Sequence, residues 1–442
     1  MAGTEKQCRL SSFVNNRYDK LLKAEFWHVY IAVAVELSAT ICVMHIVRMY
    51  LCGRANNKKG KTMTKTISRR DFAKLGLATA AVTGTVAMIT GCGSNASKGS
   101  GSDRETSADI EISNETEELS CALLGKDIKI AGICVAKQEG LFEEEKLNVT
   151  FETVANLSDG ATAVSEDKLD VLPFGVIPTC TFVAQGVENL VVFGGTIAEG
   201  SECIVLPKNK DKYVTVDDFA DAKIAYFPME TGHLVMQGLL NDAGKYNPDN
   251  WIIMSDQQSI IQAVAKGECD CGFLNSGQGY IAAKSGVTTS MHVGDLEPDF
   301  PCCRQTTSMT AFKQKTSALT KFMMAELRGL EIINNDRERA IKALVEYSGQ
   351  DKAYVENVIY GTDDYKTPMV IELDPYTDAT CNFYEIMKET GNIDANTECK
   401  MEDHVDSTVY KKALDTLIER GESVDFYKEL LEVYKTHNTL GK

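Results

Sequence analysis

The stretch Phe174 to Val205, F-G-V-I-P-T-C-T-F-V-A-Q-G-V-E-N-L-V-V-F-G-G-T-I-A-E-G-S-E-C-I-V, reads as a strand end, a loop, a helix and two buried strands. Asp170-Val171-Leu172 leads in as a short apolar strand that stops at Phe174-Gly175-Val176. Pro178 falls in the first turn of the helix, where its missing N–H costs nothing. Phe182, Val183 and Ala184 follow, and Gly186 ends the helix. Leu190 to Phe193 is a continuous apolar run, which predicts a buried parallel strand. Gly200-Ser201-Glu202 interrupts the chain before a second run, Cys203 to Leu206. Ligands of α/β sheets lie beyond the carboxyl ends of the strands, so Gly175-Val176 and Gly200-Ser201 are the first candidate ligand positions.

Outward from this stretch the pattern alternates between strands and helices. Residues 126–132 read as a strand entering a loop, 135–142 as a short helix, 147–154 as an alternating strand and 159–166 as a helix. Beyond Pro207, Thr215 is a plausible cap for a helix start. Residues 223–227 then read as a strand, 228–233 as a loop and 234–243 as an amphipathic helix. Residues 252–254, 258–266 and 269–274 give strand, helix and strand, closing at Asn275-Ser276-Gly277. Residues 301–307 carry the chain back. What remains is helical by pattern, at 319–334, 337–347, 353–359, 410–419 and 426–434.

The chain has 442 residues, 44% of them hydrophobic, enough to bury a core in at least two domains. Its net charge of −17 is uneven: residues 1–91 hold 14 Lys and Arg against 5 Asp and Glu, a surplus of +9, so residues 92–442 carry −26. A body this acidic argues against nucleic-acid partners. Fourteen cysteines, ten of them beyond Cys92, are spaced too irregularly for a disulfide scaffold and read mostly as free thiols.

The basic front end carries a targeting pattern. Ser68-Arg69-Arg70-Asp71-Phe72-Ala73-Lys74 resembles a twin-arginine export signal, and the apolar run Leu75 to Thr90 ends in Ile89-Thr90-Gly91-Cys92, which resembles a lipoprotein box. Residues 63–91 then form the signal, Cys92 carries the lipid, and 92–126, opening S-N-A-S-K-G-S-G-S-D after Gly93, form a flexible tether. Residues 1–62 include a second apolar stretch, Phe26 to Leu51, interrupted by His28, Glu36, His45 and Arg48. Charges in a span are costly without partners, and Met63 precedes the twin arginines, so these residues read as an upstream extension from an over-long gene start rather than as a true extra anchor.

Three segments in order, G-L-F-E-E-E-K-L-N-V (140–149), K-L-D-V-L-P-F-G-V (168–176) and E-G-S-E-C-I-V (199–205), resemble the periplasmic solute-binding proteins of ABC importers. The branch is the nitrate/sulfonate/bicarbonate type, which includes binders of thiamine precursors, and the resemblance runs from about Asp127 to about Leu417. It implies an α/β, two-lobed, type II binding-protein fold: mixed sheets flanked by helices, lobe 1 at 127–204 and 305–442, lobe 2 at 205–304, and two hinge crossings near 203–207 and 301–308. It also implies long C-terminal helices packed behind lobe 1. The implied function is capture of a small ligand and delivery to an ABC permease, by a lipid-anchored monomer on the outer side of the cytoplasmic membrane. An enzyme of the thiamine-pyrimidine-synthase type on the same fold is the alternative.

Candidate site residues follow from chemistry and from the resemblance. Residues 228–233 stand at a helix N-terminus, which favours an anion, and Gly232 admits close approach. A plain capping turn is the competing reading. With the resemblance, Thr231, Gly232 and His233 match a second-lobe ligand loop, and Ser201 matches a cleft hydroxyl. Glu202 and Asn275 stand beside these positions. Arg304 is the strong cation of the set, suited to a bidentate grip on carboxylate, sulfonate or nitrate, with a salt bridge to Glu199 or Glu202 as the alternative. Glu199, Glu202 and Glu230 suit a cationic heterocycle equally. Cys269, Cys271, Cys302, Cys303 and His292 have no regular metal-ligand spacing, Cys302 and Cys303 being neighbours expected to face opposite ways. No catalytic residue, cofactor or metal is expected.

Overall fold

The computed structural model describes Ser107 and residues 110–440, apart from Asp364. The expectations for residues 1–62, the export signal at 63–91 and lipidation at Cys92 lie outside the described residues.

The described chain begins with β1 (Glu117–Leu123), α1 (Ala131–Gln138), α2 (Leu141–Glu144), β2 (Leu147–Thr153), α3 (Leu157–Ser165), α4 (Val176–Ala184) and β3 (Val191–Ala198). The middle holds β4 (Ser201–Val205), β5 (Ile224–Tyr226), α5 (Gly232–Asp242), β6 (Trp251–Ile253), α6 (Gln257–Ala265), β7 (Cys271–Asn275), α7 (Gln278–Ala282) and β8 (Thr288–His292). After β9 (Pro301–Thr307) come α8 (Met309–Gln314), α9 (Thr316–Asn335), α10 (Arg337–Ser348), α11 (Lys352–Tyr360), β10 (Val370–Ile371), α12 (Thr377–Glu389), α13 (Thr408–Arg420) and α14 (Val424–His437).

Two lobes result. Lobe 1 holds the antiparallel sheet β10-β3-β9 and the parallel pair β1-β2, joined through residues 171–172, which bridge Cys121 on one side and Thr306 on the other. Lobe 2 is the five-stranded mixed sheet β6-β5-β7-β4-β8. Side chains cap the helices that flank both sheets. Asn156 Oδ1 accepts from the Asp159 N–H at 2.9 Å to start α3, and Asp256 Oδ1 accepts from the Ser259 N–H at 2.8 Å to start α6, a pairing that satisfies an otherwise orphan helical donor.

Several expectations change. The folded domain begins inside the segment read as a tether: β1 pairs in parallel with β2 from Glu117↔Leu147 to Leu123↔Thr153, and Leu119, Cys121 and Ala122 are buried. Residues 126–132 are not a strand, because Asp127 caps a short 3-10 turn at Ile128–Ile130 that runs directly into α1. Asp170 to Leu172 makes isolated bridges only. β3 is buried along its whole length, yet both its neighbours run antiparallel to it. A continuous apolar run reports burial on two faces and carries no information about direction.

The crossings also sit elsewhere. Residues 203–205 are inside β4 and 301–307 are β9, so the chain changes lobes at Glu199-Gly200 and at Asp299-Phe300. There the Glu199 N–H donates to Phe300 O at 3.0 Å and the Asp299 N–H to Glu199 Oε1 at 2.8 Å. Glu199 and Asp299 both hold left-handed backbone, φ 52° and 62°, which a non-glycine residue adopts only under constraint.

α9, α10, α11, α13 and α14 contribute to the lobe 1 core. α12, absent from the sequence reading, packs instead on α5 of lobe 2: Phe383, Tyr384 and Met387 share one apolar cluster with Leu234, Met236 and Leu240. The helices of lobe 1 approach closely where α9 crosses α1. A Cβ on Gly329 would stand 2.4 Å from Gly132 O, so an alanine there must push the two helices apart. We predict that Gly329→Ala destabilises the protein by about 1–3 kcal/mol, the usual cost of overpacking. An unchanged denaturation midpoint would show that this crossing yields freely.

Candidate functional site

Where the two lobes meet, the ends of strands and the loops that follow them come together. After β1 comes Asp127, whose Oδ2 pairs with Lys129 Nζ at 3.1 Å. Burial opposes a charge on Lys129, but Asp127 and the thiols of Cys303 and Cys302 more than offset this, and its pKa is raised overall. Gly175 holds φ 67° at the start of α4, where an added Cβ would press on Leu157 and Pro178. On the lobe 2 side Ser201 is buried at the head of β4, its Oγ 3.4 Å from Leu274 O. Gly232 lies so close that a Cβ would meet Ser201 Oγ at 2.1 Å.

The structure thus brings Ser201, Thr231 and Gly232 together. Cys302 links them to the crossing, since Thr231 is among the groups acting on its thiol and its Sγ lies 3.9 Å from Gly200 O. The Gly175 N–H and Lys129 act on Cys303 next door. Val176 points into the apolar cluster beneath, and Asn275 pairs with Ser201 across β4 and β7 while its N–H donates to Gln257 Oε1. His233 is buried, its ring 4.5 Å from that of Tyr226.

Two expected roles do not survive the geometry. The start of α5 is already occupied by a carboxylate of the chain itself: Glu230, fully buried, accepts from the Gly232 N–H at 2.7 Å and the His233 N–H at 2.8 Å. The donors that a helix terminus offers an anion are therefore taken, and the competing reading, a capping turn, describes the loop, with Glu230 as the cap.

Arg304 is wholly buried on the opposite side of β9 from Cys303, as alternation along a strand requires. Its Nη1 donates to Asp374 O at 2.7 Å and its Nη2 to Ile197 O at 3.3 Å, with the guanidinium 5.2 Å from the centre of the Tyr376 ring. Gly195 makes room for it, since a Cβ there would stand 1.8 Å from Nη1. The carboxylates near Arg304 are Glu372 and Asp374 rather than Glu199 or Glu202. Burial pushes Glu372 up to about 7 and Asp374 up to about 6.

Glu202 is a latch across the cleft. It accepts from the N–H groups of Gly277 at 2.9 Å and Gly279 at 2.7 Å, and the Tyr365 hydroxyl of lobe 1 donates to it. Tyr280 packs on Tyr365 and Tyr354 at the same seam, ring centres 5.8 and 6.1 Å apart. Burial raises the Glu202 pKa to about 8, although the two backbone donors pull the other way.

The sequence reading missed Lys129, Asp127, the capping role of Glu230, Tyr365 and the two thiols as cleft groups. Asp127-x-Lys129 and Glu230-x-Gly232 were visible as local patterns; Tyr365 was not, because only the folding of the C-terminal segment brings it there. Among the described residues no group of three or more His, Cys, Asp or Glu side chains is arranged to hold a metal ion.

Glu202 and Glu326, both raised to about 8 by burial, stay protonated in the folded state well above the ordinary glutamate value. The folded state then binds more protons than the unfolded one between about pH 4.5 and 8, so their contribution is full below that window and is lost as pH rises through it. We predict a falling unfolding free energy from about pH 5 to 8, with the slope reduced in Glu202→Gln by up to about one proton equivalent. An identical slope in the variant would exclude a protonated Glu202.

Comparison with known proteins agrees with this architecture. Residues 127–340 match the family described as NMT1/THI5 like. The nitrate-binding protein NrtA of Synechocystis PCC 6803 superposes with a TM-score of 0.56 at 13% identity, over 74% of this chain and all of that one. The aliphatic sulphonate-binding protein SsuA of Escherichia coli gives 0.52 at 16% identity, over 66% of this chain and 92% of the other. A ligand-binding component of an ABC-type import system from Staphylococcus aureus gives 0.53 at 16%, over 67% and 99%. None of the curated proteins compared matches the sequence. Residues 127–340 thus resemble the NMT1/THI5-like family, and the described chain has the two-lobed fold of the periplasmic binding proteins.

Proposed function

We propose that the protein is the extracytoplasmic solute-binding component of an ABC importer, closing two lobes on a small ligand and presenting it to a membrane permease. The observation that carries this reading is the paired crossing at Glu199-Gly200 and Asp299-Phe300, with polar loop ends from both lobes converging beside it. Two adjacent crossings permit rotation while leaving each core intact.

The charge arrangement narrows the ligand. Glu230 closes the start of α5, Arg304 is committed to backbone carbonyls, and Lys129 is paired with Asp127. The cleft thus offers hydroxyls and paired charges rather than an unopposed cation. A neutral or zwitterionic polar solute fits this set better than a bare anion such as nitrate, because an unpaired buried charge is expensive. Lipid attachment at Cys92 belongs to the same proposal, as the tether that keeps the domain near its permease; no helix among the described residues is long and apolar enough to cross a membrane.

The test is a thermal-shift screen of the purified protein against nitrate, bicarbonate, sulfonates, pyrimidines and zwitterionic amino compounds, with each solute recovered and analysed afterwards. A ligand at about 100 times its dissociation constant adds about 2.7 kcal/mol of stability and returns chemically unchanged. Turnover of the solute would overturn the binding-protein reading, and stabilisation by nitrate or bicarbonate alone would overturn the charge argument. Mass spectrometry of the membrane-bound form should find a lipidated peptide beginning at Cys92; an intact peptide across Gly91-Cys92 would remove the anchor.

A further inference from the structure

Adjacent residues of a strand point to opposite faces, which would keep the thiols of Cys302 and Cys303 apart. β9 breaks this rule. In its pairing with β3, Cys303 stands opposite Ile197 and Pro301 opposite Ala198, so Cys302 is an extra residue with no partner. This is a β-bulge, a device that re-aims a side chain, and it brings the two Sγ atoms to 3.9 Å.

The dithiol sits where the lobes meet. Cys302 Sγ occupies the space beside Gly200, where a Cβ would stand 2.3 Å from it. The Thr231 hydroxyl acts on Cys302, and Lys129 and the Gly175 N–H act on Cys303. Elsewhere in the interior burial pushes the thiols of Cys121, Cys134 and Cys180 up, and Cys271, hydrogen-bonded to Cys203, is pushed up by burial and by that neighbour as well. Cys303 goes the other way: its thiol is held below the ordinary cysteine value by the hydrogen bond from Cys302, with Lys129 and the Gly175 N–H adding to the effect. A thiolate with a thiol beside it is a nucleophilic, chelating pair.

The spacing restricts what such a pair can hold. Two sulfurs each about 2.3 Å from a tetrahedral centre stand about 3.8 Å apart, whereas a linear centre would separate them by about 4.6 Å. A pyramidal three-coordinate centre has a narrower angle than a tetrahedral one, so the two sulfurs, 3.9 Å apart, close on it by small side-chain rotations. No third His, Cys, Asp or Glu completes a cluster among the described residues, so the four-ligand shell of a structural zinc is not supplied. The fitting occupant is satisfied by two sulfurs and keeps its third substituent from outside the protein.

We propose that Cys302 and Cys303 form a chelating site for trivalent arsenicals at the junction of the lobes. With an organoarsenic(III) oxide the two S–H bonds and the arsenic–oxygen bond break, two As–S bonds form, and the oxygen leaves with both protons as one water. Arsenic stays trivalent and no oxidant is consumed. The site rests on the binding-protein reading in one respect only: lobe opening admits the reagent to thiols that are nearly buried in the structure.

The test uses the full chain, reduced, with phenylarsine oxide as probe, read by intact mass and by competition with a dithiol and with a monothiol. The expected result is one arsenical per chain, removed by the dithiol and resistant to the monothiol. Cys302→Ala and Cys303→Ala should each weaken uptake by at least about 100-fold, since either leaves a single attachment in place of two. Cys399→Ala, at a partly exposed cysteine away from the pair, should leave uptake unchanged. If an alanine variant melts early, the serine variant replaces it. No dithiol-reversible adduct in the unaltered chain, or undiminished uptake in both folded variants, would overturn the proposal. Solute binding measured on the same samples keeps this outcome separate from the importer reading: loss of one without the other identifies which has failed.

Discussion

The contact on which the architecture turns is small. Glu199 donates its N–H to Phe300 O and receives the Asp299 N–H on its carboxylate, tying the outgoing and returning chains at the one place where both change lobes. Both residues sit in left-handed backbone, and such strain persists only where surrounding structure over-determines it. The tie keeps β3 against β9 on one side and releases β4 into the lobe 2 sheet on the other. Because the Glu199 carboxyl is half-buried near Asp299 and Asp295, its pKa is raised, first by burial. α12 adds a second link by packing on α5 behind the cleft, so motion about the crossing must be accommodated by sliding of this helix pair as well as by two backbone segments.

Around that hinge the strong charges are settled internally. Glu230 satisfies the start of α5, Arg304 the carbonyls of Ile197 and Asp374, and Glu202 the turn into α7. Each is a buried polar group provided with partners, as low local dielectric demands. The consequence for recognition is indirect. Groups that would grip a bare ion are spent on holding the loops in place.

Much of the fold was legible in residues 140–275, where short apolar strands alternate with amphipathic helices; Thr215 was readable as a cap, whereas the caps Asn156 and Asp256 emerged only in the structure. β1 was harder: Glu117-Glu118 begins it, and its alternating Leu119, Cys121 and Leu123 were masked by the acidic, serine-rich lead. α12 was missed although Phe383, Tyr384 and Met387 form its buried side, because its partner surface on α5 lies some 150 residues earlier in the chain. At the site, the positions Gly175, Ser201, Thr231 and Gly232 came from order and resemblance, and the structure places them around the crossing. The role of Arg304 could not be read, since it is decided by Asp374 and Tyr376 far along the sequence. The convergence of Cys302 and Cys303 depends on a single unpaired residue in a register that no local pattern reveals.

The central claim is that the two lobes close about the Glu199 and Asp299 crossings when a ligand enters. Small-angle scattering of the purified protein, with and without a solute shown to bind by calorimetry, tests this most directly. The account predicts a smaller radius of gyration at saturation; an unchanged radius with binding complete would contradict it and mean that the cleft is held in one state by the tie at Glu199 and the α5–α12 contact.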